Sequence, residues 1–176
     1  TTFENKEWGF GDADPKTFNP TDFNAEQIIK AAKAGGLKGV ILVAKHHDGF
    51  ALWPTKTTEY NITKSPFRNG KGDLVKEIEL EARKQGLKFG VYCSPWDRNN
   101  SLYGTDKYLA IYQAQLKELY SNYGDLFMSW HDGANGGDGY YGGAKEKRSI
   151  DNTTYYDWNN TWGITRKMQP MANIFS

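Results

Sequence analysis

Apolar and polar positions along the chain alternate between two periods, helix-like and then strand-like. Residues 24–34 set Ile28, Ile29, Ala32 and Lys33 at helical spacing, and Gly35-Gly36 ends the pattern. The run from Gly39 to Ala44 is short and continuously apolar, as in a strand covered on both faces. Asp73 is placed to cap a second helix over 74–84, stopped by Gly86. Phe89-Gly90-Val91-Tyr92-Cys93 predicts a second strand. A third helix over 107–120 carries Leu109, Tyr112, Leu116 and Leu119 on one face, and residues 126–130 predict a third strand. A Gly-rich stretch over 133–143 leads to a helix over 154–168, ended by Pro170, and residues 171–175 predict a fourth strand.

Strands alternating with helices predict βαβ units and a parallel sheet. Two α/β architectures fit: an open sheet of four strands, or about half of a (β/α) TIM-like barrel. A closed barrel typically takes ~250 residues. The sequence starts in a loop-like stretch and stops on a strand, which favours the second. The expectation is one partial (β/α) barrel domain over 1–176, truncated at both ends.

Composition narrows the function classes. The net charge is +1 with no long basic or acidic run, so charge gives no reason to expect nucleic acid or an anionic membrane as partner. No apolar stretch approaches a membrane span. Cys93 is the single cysteine, which excludes an internal disulfide. Aromatic residues make up 15% of the chain, with six Trp and eleven Tyr, which suits core packing and also suits the apolar C–H faces of a sugar.

The candidate chemistry is positional. The first strand runs into His46-His47-Asp48-Gly49-Phe50, the second into Ser94-Pro95-Trp96-Asp97-Arg98, and the third into Trp130-His131-Asp132-Gly133. Parallel strands share one C-terminal edge, where barrels and open α/β sheets place their sites. Strand alternation sets Trp130 and Asp132 on one side and His131 on the other. Adjacent His46 and His47 can line one pocket only if the strand bends or ends there. They lack the spacing of strand- or helix-borne metal ligands, so neither a metal nor another cofactor is expected. Asp48-Gly49 reads equally as a turn, and Asp97 beside Arg98 as an ion pair or loop anchor. The Gly-rich stretch lacks the ending of a phosphate loop.

These pieces resemble the α-L-fucosidases of glycoside hydrolase family 29. The matching segments are Glu7-Trp8-Gly9, Phe18-Asn19-Pro20-Thr21, Ala44 to Phe50 with Leu52-Trp53-Pro54, Tyr92 to Arg98, and Trp130 to Gly136. The resemblance implies a retaining exo-hydrolase that releases terminal L-fucose from a fucosylated glycan, outside the cytoplasm: secreted, periplasmic or lysosomal. It implies Asp132 as nucleophile and His46 and His47 as ligands of fucose hydroxyls. Glu7, Trp8, Trp53, Trp96 and Trp130 would complete the pocket, and the acid/base is expected outside this chain. The C-terminal β-sandwich of the family is absent from these residues. His131 departs from the Phe often found there. Two other classes remain open: a non-catalytic sugar-binding module, and a metal-dependent barrel hydrolase built on His46, His47 and Asp132.

Overall fold

A computed structural model describes residues 9–133 and 148–176. Four strands, β1 (Gly39–Lys45), β2 (Lys88–Cys93), β3 (Met128–Trp130) and β4 (Asn173–Phe175), form one sheet in the order β1-β2-β3-β4. All three neighbouring pairs are parallel. Each strand lies beside its neighbour in sequence, with α2 (Leu74–Lys84), α3 (Asp106–Asn122) and α4 (Trp158–Met168) as crossovers and α1 (Ala25–Ala34) before β1. A doubly wound sheet reverses its order at a switch point. This one does not, as in part of a (β/α) barrel.

Helix starts follow the capping signals. The Asn24 side chain accepts the Gln27 amide at 3.0 Å, and Asp73 accepts that of Lys76 at 2.9 Å. The last helix begins at Trp158, four residues later than its apolar pattern suggests. Asp157 takes a left-handed φ of 43°, which no helical path can include, and Asp151 holds residues 153–155 in a turn. The third and fourth strands are also shorter than their apolar runs. The Leu126 amide donates to the Gln169 side chain rather than to a neighbouring strand, and Met171 points into solvent.

One face of the sheet packs under the helices. Val91 and Cys93 of β2, Ala44 of β1 and Leu116 and Leu119 of α3 share the core. Tyr92 lies outside that cluster, on the opposite face. This alternation determines which residues face the site and which lock the strands to the helix layer. No helix among the described residues is long and apolar enough to cross a membrane.

Candidate active site

The ends of β1, β2 and β3 meet. At the end of β1 the register with β2 slips between Val43 and Lys45, leaving Ala44 as the extra residue of a bulge. The slip turns Lys45 toward α3. Its ammonium, fully buried, donates to Gln115 at 2.7 Å, to the Tyr108 hydroxyl at 3.1 Å and to Asp97 at 3.2 Å. Asp97 also accepts the amides of Asn99 and Asn100 at 3.2 and 3.0 Å. It is therefore a loop anchor, and its ion-pair partner is Lys45 rather than the adjacent Arg98. Arg98 instead lies over the rings of Phe10 and Trp96 and donates to the Gly9 carbonyl. A lysine inside an otherwise apolar strand was the available sequence signal for this pair.

The strand ends at Lys45, which removes the alternation problem for the two histidines. The chain turns at once: the Gly49 amide donates to the His46 carbonyl at 3.0 Å, with Gly49 at φ +84°. The rings of His46 and His47 then lie side by side, centroids 4.0 Å apart. His46 stacks on Tyr92 at 5.7 Å, and His47 packs on Trp96 at 5.0 Å. Ser94 donates its one proton to the Trp96 carbonyl at 2.8 Å. The 2.8 Å contact between His47 Nδ1 and the Ser94 hydroxyl is therefore donated by the imidazole, which makes Nε2 the acceptor nitrogen. Burial pushes the His46 imidazole down to about 3 and that of His47 to about 4, with the Asp132 charge working in the opposite direction on both.

Asp132 stands two residues beyond the end of β3, exposed, and accepts the Tyr92 hydroxyl at 3.2 Å. Trp130 sits edge-on to Tyr92 at 5.6 Å and to Phe175 at 5.0 Å. His131, by contrast, is buried under α3 and α4. The observed parity is thus Trp130 and Asp132 on one side and His131 on the other. Gly133 approaches His47 so closely that a Cβ there would lie 2.1 Å from the ring. Two polar atoms of the cluster, His46 Nδ1 and Trp130 Nε1, are buried with no hydrogen-bond partner among the described residues. An apolar cleft of about 430 Å³ opens beside Asp132, bounded by Trp158 and Trp162.

The structure brings together His46, His47, Trp96, Trp130 and Asp132. It does not bring in Trp53. That ring is buried, and its N–H donates to Glu118 on α3 at 2.8 Å, so the chain beyond the turn carries it to the helix layer. Trp53 thus packs in the helix layer rather than in this cluster. Glu7, Trp8 and most of the Gly-rich stretch lie outside the described residues. Tyr92 begins one of the matching segments, yet no motif gives it a role at the site. Its parity with Gly90, opposite to that of Val91 and Cys93, was the signal. Asp48 is buried in the turn and accepts the Phe50 amide at 3.2 Å; burial raises its carboxyl to about 6. Among the described residues no group of three or more His, Cys, Asp or Glu side chains could hold a metal ion.

The family model described as alpha-L-fucosidase matches residues 1–175. Alpha-L-fucosidase 1 of Arabidopsis thaliana is 45% identical over 176 residues, covering 99% of this chain and 32% of its own length. The plasma alpha-L-fucosidase of Homo sapiens is 33% identical over 130 residues, 68% of this chain and 27% of its own. A crystal structure of a glycoside hydrolase 29 family member from an unknown rumen bacterium superposes with a TM-score of 0.95 at 49% identity, over 99% of this chain and 31% of that one. The chain spans about a third of the length of the first curated relatives it matches.

Proposed function

The chain belongs to the α-L-fucosidase family, and from that premise we propose that it carries the nucleophile side of a retaining exo-glycosidase that removes terminal α-L-fucosyl residues from glycans. Asp132 attacks the anomeric carbon as the glycosidic C–O bond breaks, and a second carboxyl group gives its proton to the departing oxygen. Water then attacks the same carbon, returns a proton to that second group and frees Asp132. The negative charge of Asp132 stabilises the oxocarbenium-like transition state, and its place at the end of a strand holds it for in-line attack.

The observation that carries this reading is a pair of buried polar atoms, His46 Nδ1 and Trp130 Nε1, without hydrogen-bond partners among the described residues, in the cluster around Asp132. A buried polar atom without a partner costs free energy, and a sugar hydroxyl is the partner such atoms suit. Tyr92, Trp96 and Trp130 offer apolar surface to the ring. The acid/base comes from outside residues 1–176. The substrate is a fucosylated glycan.

The test is labelling of the full natural protein with a 2-fluorinated fucosyl fluoride, which forms the glycosyl-enzyme faster than it releases it. We expect one fucosyl adduct on the peptide carrying Asp132. Binding of L-fucose with no adduct and no turnover would favour a sugar-binding module. An adduct on another carboxylate would move the nucleophile.

A further inference from the structure

We propose that His131 is a positioning residue whose imidazole fastens the end of β3 to α3 and so fixes where Asp132 stands. His131 is 1% exposed, and both ring nitrogens are engaged. Counting protons sets the direction of each bond. The Tyr112 hydroxyl donates to the Cys93 carbonyl at 3.1 Å, so at 2.7 Å it accepts from His131 Nδ1. Nε2 then carries the lone pair and accepts from the Ser129 hydroxyl at 3.1 Å. Tyr120 supplies Ser129 in turn, at 2.6 Å. The scheme needs a neutral imidazole, and burial keeps it so by pushing it down to about 4.

The consequence is a tie between two strand ends. One hydroxyl, that of Tyr112, touches both Cys93 at the end of β2 and His131 just past the end of β3. The side chains that meet across this tie are Tyr92, one residue before Cys93, and Asp132, one residue after His131, and they are joined at 3.2 Å. The backbone amide of His131 also continues the ladder to β4, donating to the Phe175 carbonyl at 2.7 Å. β3 itself is three residues long, so little else holds its C-terminal end. A Phe at 131 would fill the space and pack on Trp158 as the imidazole does, but would release both Tyr112 and Ser129.

The catalytic part of this proposal rests on Asp132 being the nucleophile; the mechanical part does not, and two readouts separate them. In the full natural protein, hydrogen exchange of the amides at 130–133 is measured without substrate, and kcat and KM are measured on an aryl α-L-fucoside. We expect His131→Phe to speed exchange at these amides and to lower kcat by at least about tenfold with KM little changed, as a misplaced reacting group should. His131→Asn, which keeps a donor toward Tyr112, should recover part of both. Tyr112→Phe should act in the same direction, and the double variant should lose less than the sum of the two single losses, because both remove the bond that His131 and Tyr112 share. If His131→Phe does not fold, His131→Asn and Tyr112→Phe carry the same readouts. A parent that cleaves no fucoside would defeat the proposed function, while the exchange readout would still decide the tie. Unchanged exchange in His131→Phe and Tyr112→Phe overturns the proposal, as do additive losses or a kcat equal to the parent's.

Discussion

The imidazole of His47 occupies the space that a side chain at position 133 would need. A Cβ on Gly133 would sit 2.1 Å from Cε1 and 2.5 Å from Nδ1 of that ring, and Gly133 also holds φ +88°. The charge of the adjacent Asp132 acts on both histidines. Gly133→Ala must displace His47, strain the backbone, or both. We expect kcat/KM to fall by about 10²-fold, the scale of a 1 Å misplacement. Gly133→Ala combined with His47→Ala removes the clash and should regain thermal stability relative to Gly133→Ala alone. No regain would show that φ, not the ring, limits position 133.

Asp132→Asn keeps the shape and removes the carboxylate proposed as nucleophile. Turnover should fall by several orders of magnitude with an unchanged melting temperature, because the exposed carboxylate makes one hydrogen bond, from Tyr92. Azide should partly restore activity to Asp132→Gly and yield a fucosyl azide. Near-parental turnover in Asp132→Asn would remove this residue from the chemistry.

All three histidines are held below their ordinary value by burial: His46 to about 3, and His47 and His131 to about 4. The unfolded chain binds protons on them as pH drops below ~6.5, while the folded chain does not until pH approaches 4. Stability therefore falls on acidification across that window. Asp48 acts the other way. Its carboxyl, raised to about 6, takes a proton in the folded state first, which offsets one histidine. The net direction is loss of stability toward acid, read by denaturant midpoints at stepped pH. Imidazole proton resonances of the folded protein should show no titration between pH 8 and 5; a histidine titrating near 6.5 would refute this.

Much of the fold is legible in the sequence because continuous apolar runs and Asn or Asp caps are local signals. Asp73 before 74–84 and Asn24 before 25–34 both cap as their spacing implies. What local signals cannot carry is direction beyond a strand's end. Trp53 shares a motif with His46 and His47, but the five residues of turn and bridge after His47 carry it to α3. Tyr92 shares no motif with Asp132, but strand register sets its hydroxyl on that carboxylate. The bulge at Ala44, which aims Lys45 at Asp97, is a two-strand property that a single run does not show.

Those two buried assignments predict stability effects. Lys45→Met leaves Asp97 buried without its cation and should cost about 3–5 kcal/mol, the range for breaking a buried pair. Trp53→Phe loses the bond to Glu118 and leaves a small cavity. It should lower the melting temperature and leave KM for an aryl fucoside unchanged. A raised KM with parental stability would return Trp53 to the pocket.

Asp48 is the described carboxyl whose proton affinity suits a general acid, at about 6, raised by burial. Its geometry does not suit the role. The side chain is 3% exposed, one oxygen accepts the Phe50 amide within the turn, and the neighbouring Gly49 leaves no room between the turn and Asp97. A proton donor must reach the leaving oxygen across the bond from Asp132, ~5–5.5 Å from the nucleophile. Asp97 is occupied by Lys45 and two amides. Both therefore hold the turn and the loop, which supports the proposed placement of the acid outside these residues. Leaving groups give the test. Loss of the acid slows an alkyl fucoside severely, because its oxygen needs the proton, and barely slows a dinitrophenyl fucoside, which departs without it. Asp48→Asn in the full natural protein should change both substrates by the same factor and lower the melting temperature. A loss confined to the alkyl fucoside would make Asp48 the acid, and the turn at Gly49 would then have to open during the reaction.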